Sequence, residues 1–177
     1  MHAMIDTETL GVTRGSVVLS VGAVLFDPYT GEKGETFYRN IDEAASKQLG
    51  LREEQGTLDF WAKPENAGAR KLLRTDTGSP GQAMLDLAAW WKRVGVRYFW
   101  CQGAGFDDRL LEGVYDACML DTPWQFWDVR CCRTVLAMAR RKPERVPRDV
   151  KHHALDDARA QVRALVAAFK TGQWSAE

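Results

Sequence analysis

The chain has 177 residues, with 24 Lys and Arg balanced by 24 Asp and Glu. That length suits one ordinary domain with a sizeable core, and at 45% hydrophobic and 27% charged content, near globular averages, disorder is not the default. A formal net charge of zero neither favours nor excludes a polyanionic partner, so a nucleic-acid surface would have to come from local asymmetry.

No apolar run is long enough to span a bilayer, and no leader peptide is visible, so neither membrane anchoring nor secretion is expected. Cys101, Cys118, Cys131 and Cys132 form no CxxC pair and read as reduced thiols of a cytoplasmic protein. There is no internal repeat. The expected organisation is one domain over residues 1–172 and a polar tail at 173–177.

Met1 to Asp6 predicts a short first strand, and Thr7 to Ser16, with Gly11 and Gly15, a turn. Ser16 to Phe26 is dense in β-branched residues and predicts a second strand. Asp27-Pro28-Tyr29-Thr30-Gly31 turns the chain, and Glu35 to Ile41 returns as a third strand, making an antiparallel meander. From Asp42 the pattern is helical: short pieces at Ala44–Leu49, Leu58–Trp61 and Ala67–Leu73, then a loop over Thr75–Pro80. Ser79 suits an N-cap and Pro80 the first helical position. Met84, Leu87, Ala88 and Trp91 then make an amphipathic stripe, which Gly95 ends. Val96 to Cys101 predicts a buried strand, Gly103-Ala104-Gly105 a tight turn, and Asp107 to Met119 a helix. Trp124 to Val129 reads as a fifth strand, Arg133 to Arg141 as a helix broken by Pro143 and Pro147, and Ala154 to Lys170 as the last helix. Trp90, Trp91, Trp100, Trp124 and Trp127 read as core or interface. Three leading strands followed by strand–helix alternation predict an α/β domain, a mixed sheet flanked by helices, with a ligand site beyond strand ends.

Three acidic stretches stand out. Asp6 and Glu8 lie two residues apart on the first strand and so share a face. Such like charges suit either a solvated face or a bound divalent cation. Asp107 and Asp108 follow a Gly-rich turn and open a helix, where they either favour the helix dipole or project a carboxylate from a strand end. In His152-His153-Ala154-Leu155-Asp156-Asp157, His152 lies five residues before Asp157; His153 and Asp156 suit a solvated first turn.

Asp6-x-Glu8 on a first strand, Phe106-Asp107 after a Gly-rich turn, and His152-x-x-x-x-Asp157 on a last helix resemble, in that order, the motifs of the DEDDh (DnaQ-like) exonucleases of the ribonuclease H-like superfamily. The region they bracket is nearly the whole chain. Met4 to Gly11, Thr57 to Trp61 and Arg133-Thr134 are further similar to a small group of bacterial and phage 3′–5′ exoribonucleases. Two departures touch the expected nucleotide pocket: Gly103-Ala104-Gly105 replaces a more usual Gly-Ala-Ser or Asn, and Phe60-Trp61 stands where two tryptophans often occur.

The resemblance implies a ribonuclease H-like mixed sheet and metal-dependent 3′–5′ hydrolysis of single-stranded or short RNA, releasing nucleoside 5′-monophosphates. Asp6, Glu8, Asp107 and Asp157 would hold two Mg²⁺ ions, with Mn²⁺ as a substitute. His152 would be the general base, its five-residue spacing to Asp157 setting it apart from His153. Thr7, Leu10, Gly11, Phe106 and Arg133 would contact substrate. Phe60 and Trp61 would stack on a base, although packing into the core is an equal reading. Arg130, Arg133, Arg140, Arg141, Lys142, Arg145, Arg148 and Lys151 form a basic stretch leading into His152, either a solvated helix end or a phosphate contact. The implied partners are 3′ ends of single-stranded RNA or DNA, and related enzymes are often homodimers. Two other readings compete: a proofreading-type exodeoxyribonuclease, and a catalytically silent nucleic-acid-binding module on the same fold. The intact set of four carboxylates and a histidine argues against the silent module.

Overall fold

A computed structural model describes residues 1–139 and 152–171. Strand β1 (His2–Thr9) leads, followed by β2 (Val18–Phe26) and β3 (Lys33–Ile41). Three short helices come next: α1 (Glu43–Gln48), α2 (Gln55–Ala62) and α3 (Ala67–Leu72). Then come β4 (Thr77–Gly78), α4 (Pro80–Arg93), β5 (Tyr98–Cys101), α5 (Asp107–Ala117), β6 (Val129–Cys131), α6 (Cys132–Met138) and α7 (Ala154–Thr171). The six strands form one sheet in the order β4-β3-β2-β1-β5-β6. The leading three are antiparallel, whereas β5 joins β1, and β6 joins β5, in parallel. This is the mixed α/β architecture read from the sequence. Among the described residues no helix is long and apolar enough to cross a membrane.

Alternation along β1 divides the core into two layers. Ala3 and Ile5 pack with Met84, Leu87 and Trp91 of α4 and Leu110, Leu111 and Val114 of α5. Met4 packs on the other face with Leu155, Ala158, Val162 and Leu165 of α7. Asp6 and Glu8 continue the Met4 face, so period two aims both carboxylates at α7. Bonded on both sides, β1 is an interior strand and a rigid base for them.

Ser79 caps α4 through its Oγ on the Gln82 N–H at 3.3 Å, with Pro80 in the first turn, and Gly95 (φ 68°) follows the helix in the left-handed region, as the sequence predicts. Three differences from the sequence expectation bear on the sheet. β1 runs on to Thr9 because Thr7 and Glu8 still pair with Val21 and Ser20 and, after a register shift, Thr9 pairs with Val18. The expected loop before Pro80 holds β4, whose Thr77 and Gly78 pair with Asn40 and Ile41. The strand predicted over Trp124–Val129 is instead a single 3₁₀ turn at Phe126–Asp128, with β6 starting at Val129. Trp124 is drawn into the core against Phe99 (ring centroids 4.8 Å apart), while Phe126 and Trp127 are exposed. Trp90, Trp91, Trp100 and Trp124 are core residues, and Trp127 is not.

Candidate active site

The site forms where three elements meet at the C-terminal end of β1. Asp6 is half-buried and Glu8 buried. In parallel register β5 pairs its Tyr98, Phe99 and Trp100 with His2, Ala3 and Met4, so it ends level with Ile5 and its outgoing loop passes beside Asp6 and Thr7. Gly105 takes φ 70°, which L-residues with a Cβ rarely adopt, and this turns the chain into α5 at Asp107. Asp107 Oδ1 accepts from Thr7 N (3.0 Å) and Thr7 Oγ1 (2.8 Å), both bonds buried. Thr7 thereby ties the α5 carboxylate to the strand that carries Asp6 and Glu8.

The third element is the start of α7. Gly22 is the β2 partner of Asp6, and a Cβ there would lie 2.3 Å from Leu155 N and 2.5 Å from Ala154 C. The helix backbone therefore rests directly on the sheet, one strand away from Asp6. Asp156 N and Asp157 N donate to His153 O (2.9 and 3.0 Å), closing the first turn. Two consecutive histidines part here. His152 adopts φ 58°, and one donor atom from each of Glu8, His152 and Asp157 lies within 4.8 Å of the others. His153 turns away, stacking on Tyr38 at 4.4 Å with Nδ1 3.5 Å from Asp156. The five-residue spacing points to His152 and Asp157; the structure brings that pair to Glu8, while Asp156 Oδ1 accepts from Arg159 at 3.0 Å and His153 lies against Tyr38.

Crowding of carboxylates out of water sets the electrostatics. Burial, then the charges of Asp107, Glu8 and Asp157, hold Asp6 well above the ordinary carboxylate value. Burial raises Asp107 to about 7 despite its Thr7 hydrogen bonds. A divalent cation would remove this repulsion, and an oxygen-rich donor set with a single imidazole fits a hard ion such as Mg²⁺ or Mn²⁺. Asp6, Asp107 and Asp157 also line a cavity of about 430 Å³ with Phe106, the Gly103–Gly105 turn and Arg133 at its rim.

The residues expected to bind substrate divide. Phe106 is half-buried in the cavity wall, and exposed Arg133 donates to Gln102 O at 2.9 Å. Phe60 is half-buried, with its ring edge-on to His152 at 5.0 Å. Trp61 corrects the stacking expectation: it is 4% exposed, packs in the core, and its Nε1–H donates to Thr9 O at 2.8 Å. Leu10 and Gly11, expected to contact substrate, are likewise buried. Leu10 N bonds Val17 O, and a Cβ on Gly11 would meet Ser16 Oγ at 2.4 Å. The Leu10 side chain faces a second cavity, of about 620 Å³, with Leu58, Trp61 and Leu73. Arg130 sits over the Tyr98 ring, 4.9 Å from its centroid. Arg140, Arg141, Lys142, Arg145, Arg148 and Lys151 lie outside the described residues.

Three contributors escaped the sequence reading. Gln161 Nε2 donates to Asp6 Oδ1 at 2.6 Å; its i, i+4 relation to Asp157 was the available signal. Gly22 was signalled by a glycine inside a β-branched strand, which marks a close approach. Glu54 Oε1 accepts from Val12 N, Thr13 N, Thr13 Oγ1 and Ser16 Oγ, fastening the turn after β1, and nothing local in the sequence announced it.

Comparison with known proteins agrees with this geometry. A model of the family described as 3′-5′ exoribonuclease Rv2179c-like domain matches residues 1–169. No curated protein sequence matches the chain. Among solved structures, the nuclease domain of 3′hExo, a DEDDh family member bound to rAMP, is similar with TM-score 0.61 at 16% identity, over 97% of this chain and 92% of that one. A zinc-bound E. coli exonuclease I complex with single-stranded DNA gives 0.61 at 16%, over 97% and 41%. A 3′-exonuclease that recognises the histone mRNA stem-loop gives 0.60 at 14%, over 97% and 64%. The chain spans about two fifths of exonuclease I chains that it matches, 42% in one and 39% in another. At these identities the likeness is one of fold.

Proposed function

The chain belongs to the Rv2179c-like 3′–5′ exoribonuclease domain family, and from that premise we propose that it shortens single-stranded or short RNA from the 3′ end, releasing nucleoside 5′-monophosphates. The observation that carries this reading is the convergence of His152 with Glu8 and Asp157 inside 4.8 Å, beside Asp6 and Asp107, whose charges act on one another. Asp6, Glu8, Asp107 and Asp157 would hold two divalent ions, Mg²⁺ with Mn²⁺ as a substitute. When bound, such ions supply charge for the attacking and leaving oxygens of an in-line displacement. His152 takes the proton of the attacking water as the new P–O bond forms and the P–O3′ bond breaks; the departing 3′-oxygen is then protonated from solvent. The His152 imidazole is held edge-on by Phe60 and Trp61, and Thr7 holds Asp107, so the site is organised before substrate arrives. Arg133 supplies a cation at the rim of an otherwise acidic cavity, where it can meet a phosphate.

The test is incubation with 3′-overhang RNA and DNA of matched sequence in Mg²⁺, Mn²⁺ or EDTA. Stepwise 3′ shortening of RNA that stops in EDTA is the expected result. Faster shortening of DNA would move the assignment to an exodeoxyribonuclease, for which the likeness to the exonuclease I–DNA complex speaks. No metal-dependent product from either polymer would sink both and leave the silent module.

A further inference from the structure

The inward face of α7 is apolar at Ala158, Val162, Leu165 and Val166, but polar at Gln161. Gln161 is 5% exposed and lies one turn beyond Asp157. Its Nε2 donates to Asp6 Oδ1 at 2.6 Å, while its Oε1 is buried and accepts no hydrogen bond among the described residues. Burying an amide with its carbonyl unsatisfied is costly, and a Gln side chain gives up much rotamer freedom when fixed. A leucine or methionine would fill the same space without either cost. The amide thus serves one partner, Asp6, and that partner is the carboxylate on which Asp107, Glu8 and Asp157 all act.

We propose that Gln161 is the positioning residue of Asp6: its amide N–H occupies one lone pair of Oδ1, fixes the plane of the carboxylate, and leaves Oδ2 and the rest of Oδ1 for the ions. The role rests on the metal-dependent reading above. The geometry explains why the bond crosses from α7 to β1. Asp157 and Gln161 lie one turn apart on one helix face, so the helix that delivers one carboxylate also orients another. A charge-assisted bond of this kind is stronger than a neutral one, and groups that orient metal ligands typically affect ion affinity by about 10- to 100-fold.

The experiment titrates Mn²⁺ calorimetrically into the substrate-free full chain and into Gln161→Met, then measures kcat and KM on a single-stranded RNA. The expected result is an Mn²⁺ Kd weakened about tenfold or more, a matching fall in kcat, and KM within about twofold of the unsubstituted value. Melting in EDTA should be close to that of the unsubstituted protein, since only one bond is lost. Unchanged Mn²⁺ affinity and kcat would overturn the role and leave Gln161 a space filler. If Gln161→Met does not fold, Gln161→Asn carries the test: it keeps an uncharged amide but, one methylene shorter, draws the N–H back from Asp6 Oδ1. A fall in kcat at constant KM supports the role, and an unchanged kcat overturns it. If the unsubstituted chain binds no Mn²⁺ and shortens neither polymer, the metal-dependent reading is what falls; if it does both and the variants match it, only the assignment of Gln161 falls.

Discussion

Gly22 and Leu155 meet backbone to backbone: a Cβ on Gly22 would fall 2.3 Å from Leu155 N and 2.6 Å from Leu155 Cα. Gly22 pairs with Asp6 and Leu155 stands two residues before Asp157, so this contact sets the distance between two carboxylates of the site. Gly22→Ala should push the start of α7 off the sheet. Overpacking of this kind costs about 1–3 kcal/mol. Melting should register that loss, and RNA shortening should fall much further than melting alone explains. Gly68→Ala is the contrasting case, because a Cβ inside α3 meets nothing within 4 Å. It should stabilise by up to about 1 kcal/mol and leave activity unchanged. Equal behaviour of the two variants would remove the close approach as an explanation.

Acid–base linkage gives a second expectation. Burial holds Asp107 at about 7 and raises Asp6 as well. The unfolded chain releases the same protons near pH 4. Between those values the folded, metal-free protein binds more protons than the unfolded chain, so its stability falls as pH rises from about 4 to about 7. Below the window there is no penalty; above it the Asp107 share is complete, of order a few kcal/mol, and Asp6 adds to it in the same direction. Melting in EDTA should therefore drop across pH 5 to 8, and Asp107→Asn, which can still accept from Thr7, should flatten the curve. Mn²⁺ should raise the melting temperature more at pH 8 than at pH 5. A melting temperature in EDTA that climbs over this range would contradict the assignment.

The two histidines should separate in function. His152→Ala removes the imidazole beside Glu8 and Asp157 and should cost about 100- to 10,000-fold in kcat, with the fold retained. His153→Ala removes a ring stacked on Tyr38 at 4.4 Å and should lower melting while sparing most activity. Activity lost with His153 and kept without His152 would reverse the roles.

Trp61 should behave as a core residue. Trp61→Phe deletes the bond to Thr9 O and part of a buried ring, a loss of about 1–3 kcal/mol. Because Thr9 is the last residue of β1, kcat should fall modestly, with little change in KM for single-stranded RNA. A large rise in KM with unchanged melting would return Trp61 to a direct base-stacking role.

Much of the site was legible from local chemistry. Asp6 and Glu8 share a strand face by period two, Asp107 follows a turn that needs glycine, and a five-residue spacing joins His152 to Asp157. These are short-range features, and the elements that carry them follow from hydrophobic period and turn residues. The boundary at Phe126 was not legible, because aromatic residues suit a strand and an exposed turn alike until Trp124 is seen held in the core.

Sequence alone determined the identity and order of the carboxylates and the α/β alternation, since both reside in neighbouring residues. Only the tertiary structure decided how far apart those carboxylates stand. Gly22 lets α7 down onto β2, Thr7 reaches across to Asp107, and Gln161 crosses to Asp6. Each joins residues about 100 or more positions apart, and local periodicity carries no information at that range. The same long-range packing buried Trp61 and Leu10 while leaving Phe60 half-exposed beside His152. Which side of an aromatic pair faces the core depends on the helix's final orientation, and that is a property of the assembled sheet and its two helical layers.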